Sequence, residues 1–133
     1  MIKIMADTHA AIWYLWLPEK LSPNAVKALD DEAGSGGRIG VSAITLCEIV
    51  YLAEKEKINR NAPELFRDAI LAADGVLEEI PLDLDVCSFL PRIPRAVVPD
   101  MPDRIIAATA LYRNVPLITK DRRIAGSGLK TIW

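Results

Sequence analysis

Four acidic residues lie against apolar segments of the sequence, where an unpartnered charge is costly. Asp7 separates the runs MIKIMA and THAAIWYLW, Glu48 lies inside ITLCEIVYL, Asp103 opens DRIIAATALY, and Asp121 follows VPLITK. A buried carboxylate needs a cation, a basic side chain or a proton to offset the hydration that it loses. These positions therefore indicate a cluster of carboxylates that binds a positively charged group.

Each acid also has a purely structural explanation. Asp7 and Asp121 could cap the helices that follow them, and Asp103 could stabilise the first turn of a helix that Asp100 caps. Glu48 lies on a helix that we expect to be buried on all sides, and it could form an ion pair with an arginine. Taken together, however, the four acids would face one crevice, where like charges raise each other's pKa unless a cation neutralises them.

The types of ligand favour a hard divalent cation, Mg²⁺ or Mn²⁺, because such ions prefer carboxylate oxygens and water. Zinc is not indicated, since the chain has one histidine, His9, and two distant cysteines, Cys47 and Cys87. We predict that both cysteines are free thiols in the core. A cation held by carboxylates can activate water and stabilise charge on a phosphoryl oxygen. Phosphodiester hydrolysis requires both, so the first hypothesis is a nuclease.

The charge is unevenly distributed along the chain, although the net charge is only −2. From Phe89 onward there are eight Lys and Arg residues against three acids, whereas the first 88 residues carry eight against fifteen. We expect the basic last third to hold a phosphate backbone. Such asymmetry also occurs on ordinary solvated surfaces, and charge alone does not separate the two interpretations.

The elements that must position these acids alternate between strands and helices. The predicted strands are MIKIMA, RIGVS, GVLEEIPL, VPLITK and KTIW. The predicted helices are THAAIWYLW, PNAVKALDDEA with Ser22 as N-cap, AITLCEIVYLAEKEK with Ser42 as N-cap, APELFRDAILAA, DLDVCSFLPRI, DRIIAATALYRN and DRRIAG. This alternation predicts an α/β fold in which helices flank a central parallel β-sheet on both faces. In such sheets the working site lies beyond the carboxyl ends of the strands, where Asp7 and Asp121 stand.

Length and composition limit the class of protein. A chain of 133 residues that is 51% hydrophobic predicts one domain over residues 1–133. It contains no apolar run of about 18 residues and no signal peptide pattern, so we expect a soluble, cytoplasmic protein.

Three other function classes lack their motifs in this sequence. A dinucleotide site would need a glycine-rich turn after the first strand, and ADTHAA has none. An aspartyl-phosphate phosphatase would need a second acid where His9 stands, and a receiver domain would need an aspartate where Ser42 or Pro81 stands.

Four motifs resemble, in order, those of the PIN domain, and in particular those of the toxins of VapBC toxin–antitoxin pairs. They are ADTHAAIWYL, VSAITLCEIVYLAEKEKI, PDMPDRIIAATAL and PLITKDRRI, followed by the closing TIW. The resemblance implies a PIN-like fold and a Mg²⁺- or Mn²⁺-dependent endoribonuclease that hydrolyses RNA with activated water. It also implies a homodimer that is held inactive by a cognate VapB-like antitoxin in a type II toxin–antitoxin system.

The same resemblance implies which side chains form the site. The family's acidic residues, which are catalytic and bind the metal, match Asp7, Glu48, Asp103 and Asp121. Asp100 matches the first acid of a DPxDR-like stretch, although Met101 stands where proline is usual. Thr119 matches a hydroxyl that supports the acids, and Arg104 is either a structural residue or a phosphate contact. The alternative is a catalytically weak PIN-like module that binds RNA or protein and acts in regulation.

Overall fold

The computed structural model describes residues 1–133, which form five strands, seven α-helices and two 3₁₀ turns. The strands are β1 (Ile2–Ala6), β2 (Arg38–Ser42), β3 (Leu77–Ile80), β4 (Leu117–Ile118) and β5 (Thr131–Ile132). The helices are α1 (Thr8–Trp16), α2 (Pro23–Gly34), α3 (Ile44–Glu54), α4 (Ala62–Leu71), α5 (Leu84–Ser88), α6 (Met101–Arg113) and α7 (Arg122–Ala125), and the 3₁₀ turns are Pro18–Lys20 and Leu90–Arg92. None of the helices combines the length and the apolar character that a membrane span requires.

All five strands run parallel, in the order β3-β2-β1-β4-β5, which confirms the predicted parallel sheet. The chain first builds outward from β1 to β2 and β3, and then returns to the other side of β1 with β4 and β5. The strand order therefore reverses between β1 and β4. A crevice opens beyond the carboxyl ends of the strands at such a reversal, and Asp7 and Thr119 follow directly on these two strands.

Strand β1 supplies side chains to both faces of the sheet. Its register against β2 shifts between Ile2 and Met5, so these two residues, three apart, lie in the same hydrophobic cluster. Ile4 and Ala6 lie in the other cluster. Buried residues of α1, α2, α3 and α4 cover the face of Ile4, whereas those of α6 and α7 cover the face of Met5. The prediction that helices flank both faces is confirmed.

Helix α3 departs from the prediction that it is buried on all sides. Thr45 and Ile49 are fully buried, but Cys47 is exposed and Tyr51 is 64% exposed. The helix packs on α4, α1, α6 and β2, and the side that carries Cys47 and Tyr51 is open to solvent. Cys87 is also exposed, so the prediction of two core thiols is wrong, although both cysteines are free as expected. An apolar composition does not reveal on which side a neighbouring element is missing.

Several boundaries also differ from the predicted ones. Ala43 is the N-cap of α3, while the Ser42 hydroxyl, expected to be the cap, accepts a longer hydrogen bond of 3.3 Å from the Ile44 N–H. The same helix ends at Glu54, two residues before Glu56 takes the left-handed conformation with φ of 59°. The segment DLDVCSFLPRI divides into α5 and the turn Leu90–Arg92, because a proline fits the first turn of a helix and not its interior.

The centre of the sheet can be tested at Gly40 of β2. A Cβ atom there would lie 2.7 Å from Ile80 Cδ1 and 2.9 Å from Ile2 Cγ2, both within a buried cluster. We expect Gly40→Ala to lower the free energy of unfolding by about 1–3 kcal/mol through overpacking. Gly34→Ala at the end of α2, where a Cβ has no neighbour within 4 Å, should instead raise it by up to about 1 kcal/mol. Urea denaturation measures both values, and equal stabilities would contradict this account of the packing.

Candidate metal centre

Asp7 and Asp121 stand just past the carboxyl ends of β1 and β4, as the alternation of elements predicted. The Asp7 N–H donates to the Ile118 carbonyl at 3.1 Å, which ties it to β4. One carboxylate oxygen of Asp7 accepts the Ala10 N–H at 2.9 Å and so caps α1. A carboxylate oxygen of Asp121 accepts the Arg123 N–H at 2.8 Å and caps α7. The capping role therefore orients both carboxylates at this edge and does not compete with a role in the site.

Thr119 joins these two acids. Its hydroxyl donates to the second oxygen of Asp7 at 2.5 Å and accepts the N–H of Asp121 at 3.0 Å. Thr119 itself is buried, so its hydroxyl has little competition from solvent. As a result, both oxygens of the Asp7 carboxylate have a fixed direction.

Glu48, Asp100 and Asp103 form the tightest group of acids in the structure. Each offers a carboxylate oxygen within 4.8 Å of the other two. Asp100 also caps α6, since its side chain accepts the Asp103 N–H at 3.2 Å. Asp7 and Asp121 lie outside this group. The structure thus gives Asp100 a more central place than the supporting one that the sequence suggested.

Glu48 has no basic partner. The one ion pair in the structure joins Lys27 to Asp31 on α2, so the alternative explanation of Glu48, an ion pair with an arginine, does not apply. Instead, the Thr8 hydroxyl donates to Glu48 Oε1 at 2.5 Å, and the Thr45 hydroxyl lies 3.1 Å from that of Thr8. Because Thr8 has a single hydroxyl proton, Thr45 is the donor to Thr8 in this chain of hydrogen bonds.

Neither Thr8 nor Thr45 was predicted from the sequence as a residue of the site. Thr8 is 3% exposed and Thr45 is fully buried, which leaves their hydroxyls no partner but each other and Glu48. Two signals were available in the sequence: Thr8 adjoins Asp7, and Thr45 precedes Glu48 by one helical turn. The contact between the two threonines, 37 residues apart, depends on the packing of α1 on α3 and could not be predicted.

The acids raise the pKa of their neighbours. Burial, followed by the charges of Asp100, Glu48, Asp121 and Asp7, raises the pKa of Asp103 to about 7. Burial also raises the pKa of Asp7 and of Glu48, although the hydrogen bonds from Thr119 and Thr8 oppose these shifts. Five carboxylates are therefore electrostatically coupled in one place, and no basic side chain forms an ion pair with any of them.

This set of donors fits a hard divalent cation. Three carboxylates lie within reach of one ion, and oxygen is the ligand atom that Mg²⁺ and Mn²⁺ prefer. A bound cation would also remove the repulsion that raises the pKa of Asp103. Lys120, Arg122 and Arg123 adjoin Asp121 in the sequence, and all three are exposed.

Arg104 is held by the main chain. Its guanidinium donates to the Ile93 carbonyl at 2.8 Å and to the Leu90 carbonyl at 3.1 Å. These bonds fasten the segment that precedes α6 to the helix that carries Asp103. The geometry gives Arg104 a structural role, one of the two that the sequence left open.

The burial of Asp103 and its repulsion by neighbouring acids should be visible in the stability of the metal-free protein. In the unfolded chain Asp103 loses its proton near pH 3.8, whereas in the folded chain it keeps the proton up to about pH 7. The folded state therefore binds more protons between these values, and the free energy of unfolding should fall as the pH rises from 5 to 8. We expect Asp103→Asn in EDTA to raise the melting temperature and to flatten this dependence.

Asp68→Asn, which makes the same replacement at an exposed acid of α4, is the matched control. It should leave the fall with pH as in the wild type. Thermal melts by circular dichroism at four pH values make the comparison. An equal fall in Asp103→Asn would show that the repulsion at this residue has been overstated.

Comparisons with known proteins agree on one family. The model of the PIN domain matches residues 4–126. Ribonuclease VapC22 of Mycobacterium tuberculosis is 31% identical over 124 residues, which span 93% of this chain and 91% of that protein. VapBC2 from Rickettsia felis, solved with a DNA fragment from its promoter, gives a TM-score of 0.71 at 20% identity, covering 98% of this chain and 97% of that one. A toxin–antitoxin complex from Klebsiella pneumoniae gives 0.56 at 20% identity, covering 90% and 87%.

Proposed function

The chain belongs to the PIN domain family, and from this premise we propose that it is a metal-dependent endoribonuclease, the toxin of a type II toxin–antitoxin pair. The observation that carries the proposal is the convergence of five carboxylates without a basic partner at the point where strand order reverses. The similarity to a relative named as a ribonuclease supports RNA as the substrate. Helix capping explains Asp7, Asp100 and Asp121 one at a time, but it does not explain why they converge with Glu48 and Asp103.

We assign the ligands of a Mg²⁺ or Mn²⁺ ion to Glu48, Asp100, Asp103 and Asp7, with Asp121 at the border of the site. Thr119 fixes the direction of Asp7, and Thr8 fixes that of Glu48. Hydroxyls that orient carboxylates in this way hold the donors in place before the ion arrives. Such orientation by a surrounding shell is how proteins tune metal sites.

When bound, the ion would supply water of lowered pKa and stabilise charge on the phosphoryl oxygens. The side chains of the protein supply position and charge. The carboxylates hold the ion at one place in the crevice, and Lys120, Arg122 and Arg123 attract the phosphate backbone on either side. The chain contains one histidine, His9, so it lacks the pair of histidines that could activate the RNA 2′-hydroxyl and protonate the leaving oxygen.

The assignment of Asp7 can be tested without changing its shape. We expect Asp7→Asn to reduce cleavage of single-stranded RNA by more than about 100-fold, since even partners outside the ligand shell cost 10- to 100-fold. Calorimetric titration with Mn²⁺ should show a matching loss of affinity, while circular dichroism shows an intact fold. Asp68→Asn on α4 should behave as the wild type. Unchanged metal binding in Asp7→Asn would remove this residue from the ligand set.

The ends of the cut RNA separate the two possible mechanisms. Attack by water on phosphorus with departure of the 3′-oxygen leaves a 5′-phosphate and a 3′-hydroxyl. EDTA should abolish this cleavage, and His9→Ala should retain most of kcat. A 2′,3′-cyclic phosphate formed in EDTA would refute the metal-dependent mechanism. Absence of any metal-dependent cleavage would favour the alternative of a binding module without catalytic activity.

We also propose that a cognate VapB-like antitoxin covers an apolar groove between α1 and α4. The groove has a volume of about 380 Å³ and exposes Trp16, Leu17 and Leu65 at its edges. Expression of the chain alone should stop growth, and co-expression of the small protein encoded next to it should restore growth. Leu65→Glu should prevent that rescue, whereas Leu84→Glu, on exposed α5, should not.

The resemblance further implies a homodimer, which light scattering of the purified chain can test.

A further inference from the structure

We infer that the cavity beside the acidic cluster, between α1, α3 and the start of α6, binds the base of the nucleotide next to the phosphate that is cut. The inference rests on the proposed function, because it extends the same site. The cavity has a volume of about 530 Å³, and we refer to it as the base pocket. Its walls include Tyr51, Lys55, Cys47 and Met101, together with Glu48 and Asp100 of the acidic cluster.

The base pocket and the acidic cluster are continuous. Glu48 and Asp100 belong to both, so no wall separates the carboxylates from the cavity. A strand whose phosphate lies at the carboxylates must place the next nucleotide somewhere along the crevice. The base pocket shares these two acids with the cluster. The base of the neighbouring nucleotide can therefore enter it while the RNA backbone follows the crevice.

Helix α3 presents three kinds of chemistry along this wall. Glu48, Tyr51 and Lys55 follow one another at intervals of three and four residues, which places them on one side of the helix. Lys55, the C-cap of α3, lies about 10 Å along the axis from Glu48. The order is therefore a metal-binding acid, an aromatic ring and a cation, which matches a phosphate at the metal, a base and a further phosphate.

Tyr51 is the residue on which the inference depends most. Its side chain is 64% exposed and Met101 on the opposite wall is 63% exposed, although both are large apolar groups. A ring left open beside a cleavage site offers a surface on which any base can stack, since every base has a π-face. Met101 offers a polarisable side chain that can contact the other face of the base.

The walls suit a base better than an apolar protein segment. Only five of the ten lining residues are hydrophobic, and the others include Lys55, His9 and the two acids. A base has flat apolar faces and polar edges, so it can use both kinds of wall. An amphipathic helix would instead need a continuous apolar groove, as the groove between α1 and α4 provides.

The first test replaces Tyr51. We expect Tyr51→Ala to weaken the binding of a twelve-residue oligouridine, measured by fluorescence anisotropy with Ca²⁺ as the cation, by roughly tenfold. Tyr51→Phe keeps the ring and should bind as the wild type. In cleavage assays with Mg²⁺ the loss should appear in KM, while kcat and Mn²⁺ affinity stay within about twofold. Equal affinity of Tyr51→Ala and wild type would overturn the inference.

The two free cysteines provide a second test that does not depend on a substitution. Both are exposed, but Cys47 lines the base pocket whereas Cys87 lies on α5. Saturating oligouridine should slow the alkylation of Cys47 by iodoacetamide at least threefold and leave that of Cys87 unchanged. Peptide mass spectrometry of both sites gives the two rates. Unchanged alkylation of Cys47 would show that bound RNA does not enter the pocket.

The outcomes separate this inference from the proposed function. If the wild type cleaves RNA in a metal-dependent way but Tyr51→Ala binds normally, the base pocket alone is rejected. If the wild type does not cleave, the proposed function is rejected, and the binding and alkylation results still decide the base pocket. If Tyr51→Ala lowers the mass of the RNA-free protein in light scattering, this face is an interface between copies of the chain and the inference fails.

Discussion

Repulsion among carboxylates is the constraint on which the rest of this structure depends. At one end of the sheet, burial and then the charges of neighbouring carboxylates raise the pKa of Asp7, Glu48 and Asp103, and Asp100 and Asp121 are among the charges that act on them. No lysine or arginine forms an ion pair with them. A fold that brings these carboxylates together must hold them in fixed positions. A bound cation would then stabilise the folded protein by neutralising their repulsion.

Two ordinary features of open α/β sheets, a reversal of strand order and the starts of helices, position these acids. The reversal of strand order between β1 and β4 opens the crevice, and the starts of α1, α6 and α7 bring Asp7, Asp100 and Asp121 to its edge as helix caps. Buried threonine hydroxyls complete the orientation, because Thr119 binds the second oxygen of Asp7 and Thr8 binds Glu48, which caps no helix. Thr8 and Thr119 are thus as much a part of the site as the acids, because they decide where the lone pairs point.

Much of this arrangement could be predicted from the sequence. Alternating strands and helices predicted the parallel sheet, and the positions of Asp7 and Asp121 after two strands predicted the edge at which they lie. What the sequence could not supply were contacts between distant elements. The burial of Glu48 was predicted with an arginine as its possible partner, but the packing of α1 on α3 supplied Thr8 instead. The open side of α3, and with it the exposure of Tyr51, could not be predicted from apolar composition, because composition does not show where a neighbour is absent.

Anomalous diffraction from crystals grown with Mn²⁺ tests the central claim most directly, because manganese scatters strongly and its position identifies its ligands. The account predicts a peak among Glu48, Asp100 and Asp103, about 2.0–2.2 Å from at least two carboxylate oxygens. The same peak should be absent from crystals of Asp103→Asn grown under the same conditions. A fully occupied ion elsewhere on the protein, with these three carboxylates free of metal, would contradict the account.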